Sequence, residues 1–263
     1  MSTPGRERAT PSRLYIDIET RSRVDLKKSN VYRYVEDPDF AILLAAYAID
    51  DGPIILASTP EEIAAIPYLR DPSVEKVAHN AAFERVCFSA YYGLPVGTYL
   101  DPAEWDDTMP LASEHGYPAS LDGAAKALGA PEKDSAGSHL IRYFSVPNRK
   151  GTFNGPEDSP ERWEEFGRYV VQDVDTLREI ARRLPAWPPG ERELFVADQR
   201  INDRGIRLDR PLAEAAVDAG EINLIEQELE FIGLTGVDNP NSLPQVLAWF
   251  ESHGLPLPNL RAE

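Results

Sequence analysis

The sequence predicts an α/β fold, a mixed β-sheet flanked by helices and followed by a mostly helical C-terminal segment. Three observations carry this. Residues 14–20 read Leu-Tyr-Ile-Asp-Ile-Glu-Thr, in which Leu14, Ile16 and Ile18 alternate with Tyr15, Asp17 and Glu19, the period-two pattern of a strand with one buried face. Strand-like stretches come first and then alternate with helical ones, the order expected of a sheet with helices packed on it. Pro185, Pro188 and Pro189 then interrupt the chain, and the long periodic segments beyond them are helical.

Composition bounds what such a chain can be. Its 263 residues suit one large domain, or a medium domain with an appendage. At 42% hydrophobic it can bury a core, yet no apolar run nears the roughly 18 residues that span a bilayer; the longest is 40–49. No membrane role is expected. Residues 1–12 are polar with Pro, Gly and Arg, the composition of a disordered lead-in and not of a signal peptide. The single cysteine, Cys87, rules out an internal disulfide, fits a reducing cytosol, and sits between Val86 and Phe88 as a core residue would. A formal charge of -17 excludes a basic protein that tracks nucleic-acid grooves along its whole surface. It leaves open a local site, because net charge governs solubility and association, not the chemistry of a cleft.

The elements follow in order. After the strand at 14–20, residues 21–38 are polar with no clear period. Residues 40–50 and 53–57 read as two strands joined at Asp50-Asp51-Gly52, a hairpin signal, so the first three strands form an antiparallel meander. Thr59 caps a short helix with Pro60 at its first position. A strand at 74–78 runs into Asn80, which is placed to cap a helix reaching about residue 92. Residues 102–107 read as a turn-like acidic connection. Helical patterns follow at 108–114, at 120–128 (closed by Gly129 and Pro131) and at 138–144. The segment 145–160 carries enough Pro and Gly to be a surface loop, and 161–184 is a long helix. Past the prolines come a helix at 191–204 ended by Gly205, a short strand at 206–208, and a helix capped by Asp209. That helix aligns Leu212, Ala216, Ala219, Ile222, Leu229 and Ile232. Ser242 with Gln245 reads as a capping box opening a last helix that closes at Gly254. The expected organisation is a domain at 13–187 and a thin helical segment at 188–263.

Chemistry concentrates on four carboxylates. Asp17 and Glu19 project to one side of a strand, about 7 Å apart along it. Carboxylates that close repel unless a cation sits between them, and a divalent metal is the simplest candidate. Glu84 lies one turn into the helix begun at Asn80; on its own it reads first as an acid favoured by the helix dipole and second as a site carboxylate. Asp173 follows Tyr169 by four residues, so phenol and carboxylate share a helix face among Val170, Val171, Val174 and Leu177. A buried Asp in that setting needs a partner.

In order, Asp17-Ile18-Glu19-Thr20, Asn80-Ala81-Ala82-Phe83-Glu84 and Tyr169-Val170-Val171-Gln172-Asp173 resemble the three motifs of the DEDD 3′–5′ exonucleases. Tyr169 in place of His makes the resemblance one to the tyrosine subclass. That subclass includes the proofreading domains of family A, DNA polymerase I-like, DNA polymerases, and other stretches look like the bacteriophage branch. These are Val31-Tyr32-Arg33-Tyr34, Asp107-Thr108-Met109, Ser120-Leu121 and Leu140-Ile141-Arg142-Tyr143-Phe144. Asp198-Gln199-Arg200-Ile201-Asn202-Asp203-Arg204-Gly205-Ile206 and Asn239-Pro240-Asn241-Ser242 look like the passage from exonuclease into polymerase thumb. Each motif alone is common; the three in register are specific. The resemblance covers residues 13–263.

The resemblance implies a ribonuclease-H-like fold and a two-metal 3′–5′ exonuclease acting in proofreading during DNA replication. Asp17, Glu19, Glu84 and Asp173 would hold two Mg²⁺ or Mn²⁺ ions, Tyr169 would orient the attacking water, and Thr20, Asn80 and Phe83 would bind substrate. The implied partners are a single-stranded or frayed DNA 3′ end and a separately encoded polypeptide with the polymerase palm and fingers. The implied location is the cytoplasm, the host's if the chain is phage-encoded. The sequence departs from the family pattern at Glu84, where Asp is usual. The extra methylene keeps the charge and shifts the oxygens by about 1.5 Å. Nothing matches palm or finger motifs, so the incomplete thumb-like segment is not expected to polymerise. Two rival readings share these residues: an RNA-trimming 3′ exonuclease, and a weakened exonuclease fold that binds DNA or a polymerase. His79, before Asn80 at a strand end, reads first as structural and second as a general base.

Overall fold

The computed structural model describes residues 12–131 and 137–260; the lead-in expected at 1–12 lies outside the described residues except for Ser12. Among the described residues five strands form one sheet: β1 (Arg13–Arg21), β2 (Ala41–Ile49), β3 (Ile55–Ala57), β4 (Glu75–Ala78) and β5 (Trp105–Asp107), in the order β3-β2-β1-β4-β5. The meander is present: β1 pairs β2 antiparallel, with Asp17 opposite Ala46, and β2 pairs β3 antiparallel. The other two strands run parallel, β4 beside β1 and β5 beside β4. This mixed sheet with helices on both faces is an α/β fold, as the sequence predicts. Its hairpin turns at Asp50, which adopts a left-handed φ of 47° and accepts from the N–H of Arg13 at 2.9 Å.

The central strand is covered on both faces, not on one as the alternation alone suggests. Leu14, Ile16 and Ile18 pack with Ile63 of α2 (Pro60–Ala64) and with Cys87 and Phe88 of α3 (Ala81–Tyr91). On the other face Tyr15, Leu44 and Val77 pack with Leu140 and Phe144 of α6 (Gly137–Phe144) and with Phe166, Val170, Val174 and Leu177 of α7 (Pro160–Arg183). Each such side chain taken fully from water stabilises the fold by about 1.5–3 kcal/mol. Cys87 is a buried core thiol, as expected. A third cluster joins α4 (Thr108–Glu114) and α5 (Leu121–Leu128) to the end of α7 through Leu111, Ala124, Ala125 and Ile180. Gly129 closes α5 in the left-handed conformation its lack of Cβ permits.

Several local expectations are corrected. The acidic connection at 102–107 is a 3₁₀ turn, Pro102–Glu104, followed by β5. Two aspartates in three residues oppose strand propensity, yet Trp105 is fully buried and β5 completes the parallel half of the sheet. The polar stretch 21–38 contains a helical turn, α1 (Val31–Tyr34), capped by the Asn30 side chain. Residues 206–208 form no strand; Ile206 is almost wholly exposed, and β-pairing requires a neighbour that local propensity cannot supply. Ser242 starts α10 (Leu243–Ser252) without the expected side-chain cap, and Gln245 instead accepts from the N–H of Asn239 at 3.2 Å. Thr59 and Asp209 do cap their helices.

Residues up to Gly205 pack as one unit and those from Ile206 as a second. Helix α8 (Glu191–Arg204), which follows the prolines, belongs to the first. It is held there by Arg192 to Glu75 at 3.0 Å, Arg200 to Asp101 at 3.1 Å, and Arg85 to Asp203 at 2.8 Å. In the second unit α9 (Arg210–Thr235) buries none of its residues, and Leu212, Ile222 and Leu229 are exposed. Among the described residues, no helix is long and apolar enough to cross a membrane.

Candidate active site

Strand β1 presents Asp17 and Glu19 on the face that carries Tyr15, the face covered by α7. The register with β2 shifts between Glu19 and Thr20, a bulge that re-aims side chains at the end of the strand. Asp173 comes from the middle of α7. Asp17, Glu19 and Asp173 each offer an oxygen within 4.8 Å of those of the other two. Glu19 and Asp173 are buried and Asp17 partly so. Three carboxylates converging in a largely buried cluster form a hard oxygen donor set, the kind that suits Mg²⁺ or Mn²⁺.

Glu84 approaches from the opposite layer, in the first turn of α3. It stands outside the triad of mutually close oxygens but is buried at 3% exposure beside it, and its Oε2 has no hydrogen-bond partner. Burial first, then the charges of Asp17, Asp107 and Glu19, push its carboxyl well above the usual range. A buried, unpartnered carboxylate oxygen facing acids is costly by itself, and a bound cation would offset that cost. The residues present therefore fit a divalent metal.

The cap of α3 differs from expectation. Asn80 occupies the N-cap position with a left-handed φ of 78°, and its side chain makes no capping bond. The work is done by Asp107, at the end of β5. Its carboxylate accepts from the N–H groups of Asn80 and Ala81, each at 2.8 Å, and from that of Met109 at 3.0 Å. One buried side chain thus caps α3 and α4 together. The sequence signal is an Asp just before a helix, masked because Trp105-Asp106-Asp107 carries no strand pattern of its own.

Tyr169 lies one turn before Asp173 and is buried. Its ring stacks on Phe166 at 6.4 Å and its hydroxyl bonds the Asp173 carboxylate. Burial first, then the surrounding carboxylates, raise the phenol above its ordinary range. The ring rests on the backbone of Gly137, where an added Cβ would come within 1.9 Å of Tyr169 Cε2. His79 has both ring nitrogens engaged, Nδ1 with Thr108 Oγ1 at 2.9 Å and Nε2 with the Ala119 carbonyl at 2.8 Å, the bonding of a structural histidine. The Thr20 hydroxyl meets that of Tyr34 at 2.9 Å, and the Phe83 and Tyr34 rings lie 5.8 Å apart. Both residues thus contact Tyr34.

These environments fix a pH response. Burial lifts Asp107 to about 7 and raises Glu84 as well. Acids raised on folding bind more protons folded than unfolded across the window between their ordinary values and about pH 7. Stability of the metal-free protein therefore falls as pH rises through it. Melting of EDTA-treated protein is expected at a higher temperature at pH 5.5 than at pH 7.5, with the gap narrowed by Mn²⁺. A metal-free protein that melts higher at pH 7.5 would contradict this electrostatic picture.

Comparison with known proteins places the chain beside a viral polymerase. It is 43% identical over 262 residues to a DNA polymerase of Bacillus phage SP02, a match covering 94% of this chain and 40% of that protein. The chain thus spans well under half of its relative's length. The kinship with a bacteriophage DNA polymerase expected from the sequence is borne out. No family model matches the chain. Among solved structures it is similar to the catalytic core of RRP6 from Trypanosoma brucei, at 15% identity and a TM-score of 0.42 over 74% of this chain and 44% of that one. It is also similar to Escherichia coli RNase D, an exoribonuclease involved in structured RNA processing, at 18% identity and a TM-score of 0.39 over 74% and 46%.

Proposed function

We propose that this chain, a homologue of part of a phage DNA polymerase, is a metal-dependent 3′–5′ exonuclease module that removes nucleotides from single-stranded or frayed DNA ends in proofreading. The observation that carries the reading is the convergence of Asp17, Glu19 and Asp173 within 4.8 Å, with buried Glu84 beside them. These four residues would hold two ions, Mg²⁺ or Mn²⁺. When bound, such ions would supply a water of lowered pKa and charge neutralisation at the terminal phosphodiester. Tyr169 orients the water as a hydrogen-bonding group; its raised pKa keeps the phenol protonated, so it does not act as a base. Thr20, Asn80 and Phe83 form the wall against the terminal nucleotide. A polypeptide carrying palm and fingers would cover the exposed apolar side chains of α9, among them Leu212 and Leu229, each about two-thirds exposed.

The test is shortening of a 5′-labelled DNA oligonucleotide with Mg²⁺ or Mn²⁺, abolished by EDTA, beside the RNA oligonucleotide of the same sequence. DNA shortened stepwise from its 3′ end is expected. Preferential loss of RNA would move the function to RNA trimming, and binding without cleavage would make the chain a weakened nuclease that serves as a binding module.

Tyr169→Phe removes only the hydroxyl, so kcat should fall by about ten- to a hundredfold with KM nearly unchanged. Gly137→Ala should act in the same direction by displacing the ring. Combined with Tyr169→Phe it should add little, because both act on one group. Full turnover in Tyr169→Phe would reduce this tyrosine to packing.

A further inference from the structure

We infer that Asp203, in the last turn of α8, is a positioning residue for this site, an inference that rests on the nuclease reading above. The carboxylate of Asp203 receives both ends of the Arg85 guanidinium, Nη1 to Oδ2 and Nη2 to Oδ1, each at 2.8 Å. The same carboxylate accepts from the Tyr32 hydroxyl at 2.9 Å. Arg85 follows Glu84 directly in α3 and its side chain is only 1% exposed, so the guanidinium cannot shift without moving the first turn of that helix. Tyr32 belongs to α1, whose Tyr34 bonds the Thr20 hydroxyl and packs on Phe83. One carboxylate therefore clamps together the helix that carries Phe83 and Glu84 and the helical turn that braces Thr20.

The placement of Asp203 argues for this role over a simple staple. A negative charge in the last turn of a helix faces the negative end of the helix dipole, which disfavours it. Arg192 and Arg200 already pin α8 to the first unit through Glu75 and Asp101. What Asp203 adds is a bidentate, charge-assisted contact whose direction is fixed by the planar guanidinium. Arg85 also donates to the Leu100 carbonyl at 2.9 Å, so the guanidinium is held on two sides and transmits little slack to its neighbour Glu84.

The experiment uses the full chain and two readouts: calorimetric binding of Mn²⁺ without DNA, and steady-state hydrolysis of the DNA oligonucleotide. Asp203→Asn should weaken Mn²⁺ binding by about tenfold and lower kcat by about ten- to a hundredfold, with KM for DNA within about twofold. Asp203→Glu, which keeps the charge, should recover part of both. Arg192→Ala, which loosens the other end of α8, should lower the melting temperature and leave Mn²⁺ affinity unchanged. If Asp203→Asn does not fold, Tyr32→Phe carries the test: it removes one hydrogen bond to Asp203 and should shift both readouts in the same direction by a smaller factor. Wild-type Mn²⁺ affinity and kcat in folded Asp203→Asn would overturn the inference. So would an Arg192→Ala chain that loses as much Mn²⁺ affinity as Asp203→Asn. A wild-type chain that neither binds Mn²⁺ nor cleaves would overturn the nuclease reading itself, and this inference with it.

Discussion

Replacing Asp17 and Glu19 together by alanine is expected to abolish metal-dependent degradation of DNA 3′ ends while leaving the fold intact. Two of the three mutually close oxygens disappear, and Asp173 with Glu84 beside it is too small a donor set to hold the ions against bulk water. Activity should drop by at least about a thousandfold, or about 4 kcal/mol of transition-state stabilisation. Stability should respond in the opposite sense. In the metal-free protein these charges raise the carboxyl of Glu84 and the phenol of Tyr169, so removing them relieves repulsion inside a buried cluster. The melting temperature in EDTA should hold or rise. The measurements are end-labelled product ladders and thermal melts with and without EDTA. Unchanged product ladders from a preparation free of other nucleases would sink the metal-site reading.

The parts of this site that could be read from sequence are those set by local periodicity. Asp17 and Glu19 share a face because strand side chains alternate, and Tyr169 and Asp173 meet because four residues make about one helical turn. The features without a local pattern depend on partners distant in the chain. Asp107 caps a helix that begins 26 residues before it, and Asp203 grips an arginine 118 positions away. Neither pairing has a local pattern. The strand β5 has none for a related reason: Asp106 and Asp107 are poor strand formers, and only pairing with β4 makes their backbone extended. Asn80 misled in the other direction. It has the chemistry of a capping residue and stands at the right place, yet its φ of 78° is left-handed and its side chain makes no cap bond, while Asp107 accepts from the N–H groups of Asn80 and Ala81. Helix α8 follows a proline-rich break that reads as a boundary, but it packs with the first unit, tied there by the buried Arg85–Asp203 ion pair, and prolines alone do not report which side of a break a helix packs on.

Glu84 offers the sharpest distinction between a metal ligand and an ordinary helix-start acid. Its carboxylate is buried, its Oε2 has no hydrogen-bond partner, and its neighbours are negative, none of which describes a solvated first-turn glutamate. Glu84→Gln keeps the shape and removes the charge. If Glu84 contributes to holding metal, this variant should lose about a hundredfold or more in turnover and need more Mn²⁺ for half-maximal activity. It should also melt higher than wild type in EDTA, and show a weaker pH dependence, because a buried charge has been removed. Glu84→Asp keeps the charge on a shorter arm and matches the residue usual in the resembling family, so it should stay within about tenfold of wild type. A residue that served only the helix dipole would give another pattern: Asp and Gln variants differing by at most about 1 kcal/mol in stability and hardly at all in turnover. Manganese titrations of activity on the three proteins, run beside melts in EDTA, separate the two cases. Equal turnover in the Gln and Asp variants would remove Glu84 from the metal-binding set.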